Sequence, residues 1–417
     1  MTDDERLAKN SRIREHGKQT REKRKSQVCR VYQLKIDFSH LNKAQKEHLQ
    51  MLFVEAKWLY NDALTFMNDH DINEYDSRIL TVHGLDKDRN PVTHDLHYIS
   101  SQMRQSVIHG IKTSLKSLSS LKKHGYNTGR LRYKSEYVSI NLQQYRITYR
   151  FYDEHHIGIQ GFSKKIKILG AKQFWNIPGI EFANAKLLKL PDGYYLAVTT
   201  YQDNGGEKRN YKPAIGIDMG IKTTITVSDG RKIKVFVEES ERLKKCQRLI
   251  ARRKKGSSNR YKAVKKLRRA YQKLGSKKRD CANKIVREFL EHEHVYMQDE
   301  NISCWHKGLF GRTVQHSVLG LVKAKLMKNE RVSVLPKSAP TTKYCPNCGS
   351  LKKDITLSDR VYECQCGYQE DRDIHAARNM ILLSRFSTCG TQGIYAFGED
   401  VRRLQPEHRT AAQTSKN

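Results

Sequence analysis

The sequence lacks long apolar segments. It contains no run of about 18 apolar residues, the length at which a membrane-spanning helix becomes possible. Residues 1–27 are polar and basic, and they lack the apolar stretch that a secretory signal requires. We therefore expect a cytoplasmic protein that has no membrane partner.

Acidic residues are scarce relative to basic ones. The 417 residues include 44 Asp and Glu against 78 Lys and Arg, which gives a formal net charge of +34 at pH 7. The positive side chains of such a protein repel one another unless a polyanion neutralises them. An excess of Lys and Arg of this size usually serves to bind phosphate groups. The composition therefore predicts a nucleic-acid partner. A basic protein that is merely soluble is the less favoured alternative.

The nine cysteines are too sparse and too unevenly spaced for a disulfide framework. Four of them form two close pairs, Cys345 with Cys348 and Cys364 with Cys366, which predicts one tetrahedral structural Zn²⁺ in a zinc ribbon. The second pair has the spacing Cys-x-Cys, whereas Cys-x-x-Cys is usual, so its turn is shortened. The other cysteines are predicted to be packing residues: Cys29, Cys246, Cys281, Cys304 and Cys389.

The chain is longer than a single hydrophobic core allows, so more than one domain is expected. Residues 1–27 predict a basic flexible arm, because they hold almost no apolar residues. Helical periodicity marks residues 41–125, except for a polar stretch at 69–98 that predicts a loop or short helices. Short strand-like runs then predict an antiparallel barrel up to residue 205. The polar segment 203–210 predicts the main boundary.

Three carboxylates follow the pattern of a metal-dependent nuclease. Asp218 lies inside an apolar strand, Glu300 follows another strand, and Asp373 begins an apolar helix. Converging acids of this kind can hold two Mg²⁺ ions about 3.5 to 4 Å apart for phosphodiester hydrolysis. Asp299 competes with Glu300, and Asp371 competes with Asp373. The alternatives are a turn aspartate, a solvated acidic loop and a helix cap.

A strongly basic segment lies between the first two acids. Residues 241–280 hold 18 Lys and Arg against only Glu241 and Asp280, whereas a solvated helix face normally mixes both signs. We predict two helices that are separated at residues 256–258, that bind phosphates and that could clamp a duplex. The basic run at the break is Arg252, Arg253, Lys254 and Lys255.

Several motifs, taken in order, resemble the TnpB nucleases of IS200/IS605-type transposons, and miniature type V CRISPR effectors share the arrangement. The match is strongest over residues 206–385. It rests on Gly216-Ile217-Asp218-Met219-Gly220-Ile221-Lys222, the basic run, Glu300-Asn301-Ile302, the cysteine pairs and Asp371-Arg372-Asp373-Ile374-His375-Ala376-Ala377-Arg378-Asn379. Shorter matches occur at residues 55–61, 129–134 and 390–402.

The resemblance implies an α/β multidomain fold. Its parts would be an RNase-H-like (RuvC) core with an inserted zinc ribbon, and an N-terminal antiparallel β-barrel, the wedge, with an inserted helical recognition domain. The implied boundaries are 1–27 for the arm, 28–40 and 126–205 for the wedge, 41–125 for the recognition domain, 206–338 and 368–388 for the RuvC domain with basic helices 241–290, 339–367 for the ribbon and 389–417 for the tail.

The resemblance also implies an RNA-guided DNA endonuclease. Asp218, Glu300 and Asp373 would be the catalytic Mg²⁺ ligands, and a guide RNA would direct cleavage of double-stranded target DNA beside a short motif that the protein reads. Further nucleic-acid contacts are expected in the 129–134 match, at Arg130, Arg132 and Lys134. The sequence departs from the family pattern at His375, where Asn is usual, which could retune the site.

Other functions compete with this interpretation. A miniature type V CRISPR effector would have the same chemistry, and the TnpB-like tail favours the transposon context. A non-cutting RNA-guided repressor would have lost a catalytic acid, whereas all three positions here are acidic. A strand-joining transposase would act on element ends without RNA. A zinc-ribbon DNA-binding protein would bind DNA without any chemistry.

Overall fold

The computed structural model describes residues 3–85, 90–203, 210–221, 224–352, 354–356 and 358–387. Residues 204–209 of the predicted boundary segment, Lys222 of the TnpB-like motif, Cys389 and the tail 389–417 lie outside this range. The chain divides into two compact units, Met1–Glu207 and Lys208–Asn417. No helix within the described residues has the length and apolarity to cross a membrane.

The first unit combines a sheet with two long helices and one long N-terminal helix. Its elements are α1 (Asp3–Ser26), β1 (Gln27–Ile36), a 3-10 turn (Phe38–His40), α2 (Lys43–Phe66), β2 (Thr81–Leu85), β3 (Pro91–Asp95), α3 (Ser101–Lys123), β4 (Ser139–Leu142), β5 (Tyr149–Phe151), β6 (His156–Ile159), β7 (Ile166–Leu169), α4 (Lys172–Trp175), β8 (Glu181–Leu190) and β9 (Gly193–Asp203).

The seven-stranded sheet of this unit is antiparallel throughout and forms a near-barrel in the strand order β4-β8-β9-β1-β7-β6-β5. Strand β1 lies in the middle, paired with β9 from Gln27 opposite Asp203 to Lys35 opposite Tyr195. The chain therefore leaves the sheet after β1, forms α2 and α3, and returns to it at β4. Apolar residues from the sheet and from both helices share one buried core.

Two predictions for this unit are wrong. The arm is not without structure but forms helix α1, because Ala, Arg, Lys, Glu and Gln favour helices. Its last turn is held to the sheet, since Lys23 and Arg24 pair with Glu181 at 2.6 and 3.0 Å. The stretch 69–98, predicted as loop or short helices, contains the β2-β3 hairpin. Its inward positions include Gly84 and His94 and its outward positions include the exposed Leu85, so the sequence shows no clear apolar alternation.

The second unit holds a smaller sheet, most of the basic helices and the cysteine pairs. Its elements are β10 (Ile215–Met219), β11 (Ile225–Val227), β12 (Lys232–Ile233), α5 (Glu241–Ala251), α6 (Ser258–Phe289), β13 (Val295–Gln298), α7 (Ile302–Trp305), α8 (Gly311–His316), α9 (Leu319–Leu326), β14 (Val332–Leu335), β15 (Val361–Glu363), β16 (Gln369–Asp371) and α10 (Arg372–Ser387).

The five strands of this sheet follow the order β12-β11-β10-β13-β14. Strands β10, β11 and β12 form an antiparallel meander, and β13 and β14 run parallel to β10. Ile217 and Met297 are fully buried in a core that also takes Phe289 of α6 and Val322 of α9. Helices therefore cover this face of the sheet, which explains the continuous apolar character of β13.

Helix α10 crosses β10 in direct backbone contact. A Cβ atom at Gly216 would lie 1.8 Å from the carbonyl oxygen of Ala377, so only glycine fits the strand at this point. Ala376 and Ala377 are buried and small, which permits the approach from the side of the helix. The contact brings the first turn of α10 beside the strand that carries Asp218.

The substitution Gly216→Ala should therefore disrupt the second unit. The new methyl group meets backbone rather than a flexible side chain, so we expect a loss of about 2 kcal/mol or more in the free energy of unfolding. Chemical denaturation measures this loss. Gly320→Ala in α9 is the control, because its Cβ would meet nothing within 4 Å. Equal stability of the two variants would contradict the contact.

Candidate active site and zinc ribbon

Asp218 lies on β10, opposite Thr226 of β11. Its side chain is partly buried, and burial together with the charges of Asp373 and Glu300 raises the pKa of this carboxyl to about 7. The charge of Arg372 and the backbone N–H of Met219 oppose this rise only in part. The three acids are therefore close enough to repel one another, although they lie on three separate elements.

Glu300 follows the carboxyl end of β13. Because β13 is parallel to β10, Glu300 and Asp218 lie at the same edge of the sheet. The backbone N–H of Glu300 donates to the carbonyl of Gln298 at 2.9 Å, which fixes the turn after the strand. Glu300 also lines an open cleft of about 540 Å³, whose other wall is formed by residues of α9 and by Lys337.

Asp373 lies in the first turn of α10, and Asp371 caps that helix. One carboxylate oxygen of Asp371 accepts the backbone N–H groups of Asp373 at 3.1 Å and of Ile374 at 3.2 Å. The side chain of Asp373 has one weak contact, at 3.4 Å, with the guanidinium of Arg372. The helix-cap alternative, which the sequence left open for both acids, therefore applies to Asp371.

Both competing acids are already bound by lysines that the sequence analysis did not identify. Asp299 pairs with Lys323 at 2.6 Å, and Asp371 pairs with Lys232 at 2.6 Å. The partners are 24 and 139 residues apart in the chain, so no local pattern signals them.

The donor atoms of Asp218, Glu300 and Asp373 are carboxylate oxygens, which suit hard divalent cations such as Mg²⁺. Their mutual repulsion would be relieved by a cation between them. Among the described residues, only the four predicted cysteines bring at least three possible ligand atoms within 4.8 Å of one another. The three acids are therefore spread more widely than the ligands of a single small ion.

The four cysteine sulfurs form a compact cluster. The Sγ atoms of Cys345 and Cys366 lie 3.7 Å apart, and those of Cys348 and Cys364 lie 3.6 Å apart. Tetrahedral Zn²⁺ with Zn–S bonds of about 2.3 Å requires sulfur separations of about 3.8 Å. The cluster therefore fits a structural zinc ion, and the shortened Cys-x-Cys turn does not prevent this fit.

Each cysteine pair lies in a tight turn that ends in a glycine. The N–H of Gly349 donates to the carbonyl of Cys345 at 3.0 Å, and that of Gly367 donates to Cys364 at 2.9 Å. Both glycines have positive φ values, 72° and 88°, which other residues adopt only with strain.

The ribbon is joined to α10 through His375. This residue is fully buried, and its ring stacks on Tyr362 of β15 with centroids 3.9 Å apart. Burial lowers the pKa of His375 to about 4, although the backbone of Tyr344 opposes this effect, so the ring is neutral at pH 7. The amide of Asn379, one turn later, donates to the carbonyls of Thr341 and Tyr344 at 2.7 and 2.8 Å. His375 therefore packs the ribbon against the helix.

The predicted nucleic-acid residues lie on two different surfaces. Arg252, Arg253, Lys254 and Lys255 are all exposed in the turn between α5 and α6, where Arg260 donates to the carbonyls of Ile250 and Arg253. The two helices are separated at residues 252–257, which overlaps the predicted break at 256–258 in part.

In the first unit, Arg130, Arg132 and Lys134 are all exposed, in a segment without regular secondary structure. The Nζ atom of Lys134 lies over the rings of Tyr60 and Tyr137, 3.8 and 4.4 Å from their centroids, and burial lowers its pKa. Asn61 exchanges two hydrogen bonds with the backbone of Lys134, at 2.8 and 3.0 Å. Helix α2, which contains residues 55–61, therefore holds the basic segment 129–134 in place.

Two protein families match parts of the chain. The family described as "Probable transposase" (OrfB_IS605) matches residues 197–296, and the family described as "Cas12f1-like, TNB domain" matches residues 319–380. The first match contains Asp218 and the basic helices. The second contains the four cysteines and Asp373, while Glu300 lies between the two.

Curated relatives agree with these families. A protein of Streptomyces pristinaespiralis named "Putative RNA-guided DNA endonuclease" is 28% identical over 213 residues, 49% of this chain and 51% of the relative. The "Putative RNA-guided DNA endonuclease InsQ" of Escherichia coli (strain K12) is 24% identical over 239 residues, 51% of this chain and 58% of the relative. The resemblance to the TnpB family is confirmed.

A transposase-named protein of Paramecium bursaria Chlorella virus 1 is 26% identical over 216 residues, 51% of this chain and 46% of that protein. The chain thus spans about half the length of the curated relatives it matches.

The cysteine cluster should bind about one zinc ion per chain. Elemental analysis of the purified protein measures the content, and Cys348→Ser should lower both the zinc content and the melting temperature, because a ligand is lost. Cys304→Ser is the control, since this exposed cysteine lies outside the cluster. Undamaged protein without zinc would contradict the assignment.

Asp218→Asn should stabilise the protein at pH 8 in magnesium-free buffer. The folded pKa of Asp218, about 7, lies above its unfolded value, so its ionisation disfavours the folded state increasingly as pH rises from about 4 to 7. The asparagine removes a cost of at most about 4 kcal/mol. Chemical denaturation at pH 5 and pH 8 measures this effect.

The control for this measurement is Asp359→Asn. Backbone and side-chain hydrogen bonds from Thr356 lower the pKa of Asp359, so its loss should destabilise rather than stabilise the protein at pH 8. A stability difference for Asp218→Asn that does not change between the two pH values would contradict the raised pKa.

Proposed function

We propose that this protein is an RNA-guided DNA endonuclease that cuts target DNA through a two-metal site formed by Asp218, Glu300 and Asp373. The observation that carries the proposal is the convergence of these three acids, which raises the pKa of Asp218. No structural partner accounts for the cluster. The neighbouring Asp299 and Asp371 are paired with lysines at 2.6 Å, whereas within the described residues the three acids make no ion pair as short as these, and Asp373 lies 3.4 Å from Arg372.

The strand order supports an RNase-H-like (RuvC) core. An antiparallel meander of three strands is followed by two strands parallel to the first, and α10 packs across β10. The proposed ribbon, residues 339–367, enters between β14 and α10 and would therefore be an insertion in this core. In the first unit, we propose that 28–40 and 126–205 form the wedge and that 41–125 form the recognition domain.

The proposed chemistry is hydrolysis of a phosphodiester. Bound to the three acids, two Mg²⁺ ions would activate water and stabilise the leaving 3′-oxygen, giving a 5′-phosphate and a 3′-hydroxyl. Asp218 contributes in a second way, because with a pKa of about 7 it holds a proton in part of the metal-free molecules. Metal binding must displace that proton, so cleavage should require more Mg²⁺ as pH falls below 7.

Guide RNA and double-stranded target DNA are proposed as partners because two relatives carry names that include RNA-guided DNA cleavage. The exposed basic turn between α5 and α6, with Arg252 to Lys255, would bind the backbone of a duplex. Arg130 and Arg132 would bind phosphate in the first unit, and Lys134 would act mainly by holding their segment in place.

A strand-joining transposase is the second candidate, since one matching family and one relative carry the transposase name. The deciding experiment expresses the protein with its flanking genomic DNA, sequences any co-purifying RNA and incubates the complex with a library of matching DNA targets in Mg²⁺. Cleavage that depends on the RNA match supports the nuclease. Joining of element ends without RNA would replace it with the transposase, and RNA-directed binding without cleavage would replace it with a repressor.

Each of the variants Asp218→Ala, Glu300→Gln and Asp373→Asn should reduce cleavage by about 100-fold or more, because each removes a proposed metal ligand. RNA and target binding should stay within about twofold of the wild type. Single-turnover cleavage and filter binding measure the two effects. Glu330→Gln, an exposed carboxylate elsewhere in the unit, is the matched control. Undiminished cleavage by any of the three variants would remove that residue from the site.

Replacing Arg252, Arg253, Lys254 and Lys255 with glutamine should weaken the salt dependence of nucleic-acid binding. Each lost phosphate contact changes the slope of log K against log salt by about 0.7 to 0.9, so the slope should become less steep by about 3. A variant in which arginines and lysines are exchanged at the four positions preserves the charge and is the control. An unchanged slope in the glutamine variant would exclude this turn from the interface.

A further inference from the structure

Two further acids lie next to the proposed metal ligands in the sequence, and each of them is paired with a lysine. Asp299 immediately precedes Glu300, and Asp371 lies two residues before Asp373. Each of these two neighbours forms an ion pair of 2.6 Å with a lysine from another element. An acid that is paired with a lysine therefore lies beside Glu300, and another lies beside Asp373.

Lys323 of α9 holds the turn that carries Glu300. Its Nζ atom donates to a carboxylate oxygen of Asp299 at 2.6 Å and to the backbone carbonyl of Glu300 at 2.7 Å. The side chain of Lys323 is 15% exposed and that of Asp299 is 60% exposed, so the lysine end of the pair is shielded from water whereas the carboxylate end is not. One ammonium group thus fixes both the backbone of Glu300 and the acid beside it.

Lys232 of β12 holds the start of α10. Its Nζ atom pairs with one oxygen of Asp371, while the other oxygen of Asp371 caps the helix by accepting the N–H groups of Asp373 and Ile374. The pair therefore ties the edge strand of the sheet to the turn in which Asp373 begins. Both partners of this pair are 36 to 38% exposed. Lys232 bonds to Asp371 and not to the backbone of Asp373 itself, so its hold on the proposed ligand is less direct than that of Lys323 on Glu300.

We propose that Lys323 and Lys232 are positioning residues of the metal site, which hold Glu300 and Asp373 where they can share ions with Asp218. The proposal rests on the proposed function, because it assumes that the three acids bind metal. The lysines act in two ways: they fix the backbone at each ligand, and they occupy the two neighbouring acids, which would otherwise compete for metal.

Replacing a lysine that acts only through its charge should change the metal affinity in the opposite direction from replacing a positioning lysine. Removing a positive charge near an anionic site strengthens cation binding, whereas releasing the ligand's backbone weakens it. The direction of the change in metal affinity therefore distinguishes the two roles. A purely structural role would lower the melting temperature without a specific change in metal affinity.

The test measures Mn²⁺ binding to the full-length, RNA-free protein by electron paramagnetic resonance, because RNA itself binds Mn²⁺. Lys323→Met should weaken the Mn²⁺ affinity that depends on Asp218 by about fivefold or more, and Lys232→Met should weaken it by a smaller factor. In the RNA complex, the Mg²⁺ concentration for half-maximal cleavage should rise in parallel. Lys328→Met and Lys234→Met, exposed lysines in the same two regions of the unit, are the matched controls and should bind Mn²⁺ as the wild type does.

Lys323→Arg keeps the charge and should retain most of the affinity, so it tests the proposal even if the methionine variant folds poorly. Unchanged or tighter Mn²⁺ binding in folded Lys323→Met and Lys232→Met would overturn the positioning role while leaving the metal site itself in place. If the wild type shows no Mn²⁺ binding that is lost in Asp218→Ala, the metal site fails and the proposal fails with it.

Discussion

The backbone contact between Gly216 and Ala377 is the constraint on which the second unit depends. It sets the distance between β10 and α10, and therefore the distance between Asp218 on the strand and Asp373 on the helix. A strand and a helix that pack through side chains would lie farther apart, and the two acids would then interact more weakly. The small residues at this crossing are thus as necessary to the site as the acids are.

The segment that carries the cysteine cluster places a second constraint on α10. Strand β16 leads directly into the helix, and the stacked rings of Tyr362 and His375 bury the ribbon against it. Asn379 adds hydrogen bonds to the chain that enters the ribbon. Because the cysteine cluster organises these same turns, loss of the cluster would loosen the first turn of α10. The segment that carries the cysteines therefore helps to hold Asp373 in position.

The sequence predicted the strand that carries Asp218, the two basic helices and the cysteine cluster, because each depends on local periodicity or spacing. It could not decide between Asp371 and Asp373, since both suit the first turn of a helix. What separates them is that Asp371 accepts the capping N–H bonds and the bond from Lys232. The β2-β3 hairpin was missed because Gly84 and His94 occupy inward positions and Leu85 an outward one, so apolar and polar residues do not alternate. Helix α1 was missed because it buries almost nothing, and burial is what periodicity reports.

Because the pKa of Asp218 is raised, its ionisation lowers the stability of the metal-free protein. Three carboxylates that repel one another in a partly buried site cost free energy, and neutral packing at the same positions would be more stable. The two lysine pairs limit this cost, because they remove Asp299 and Asp371 from the repulsion and leave three charges rather than five. The repulsion that remains among Asp218, Glu300 and Asp373 is what a cation bound between them would relieve.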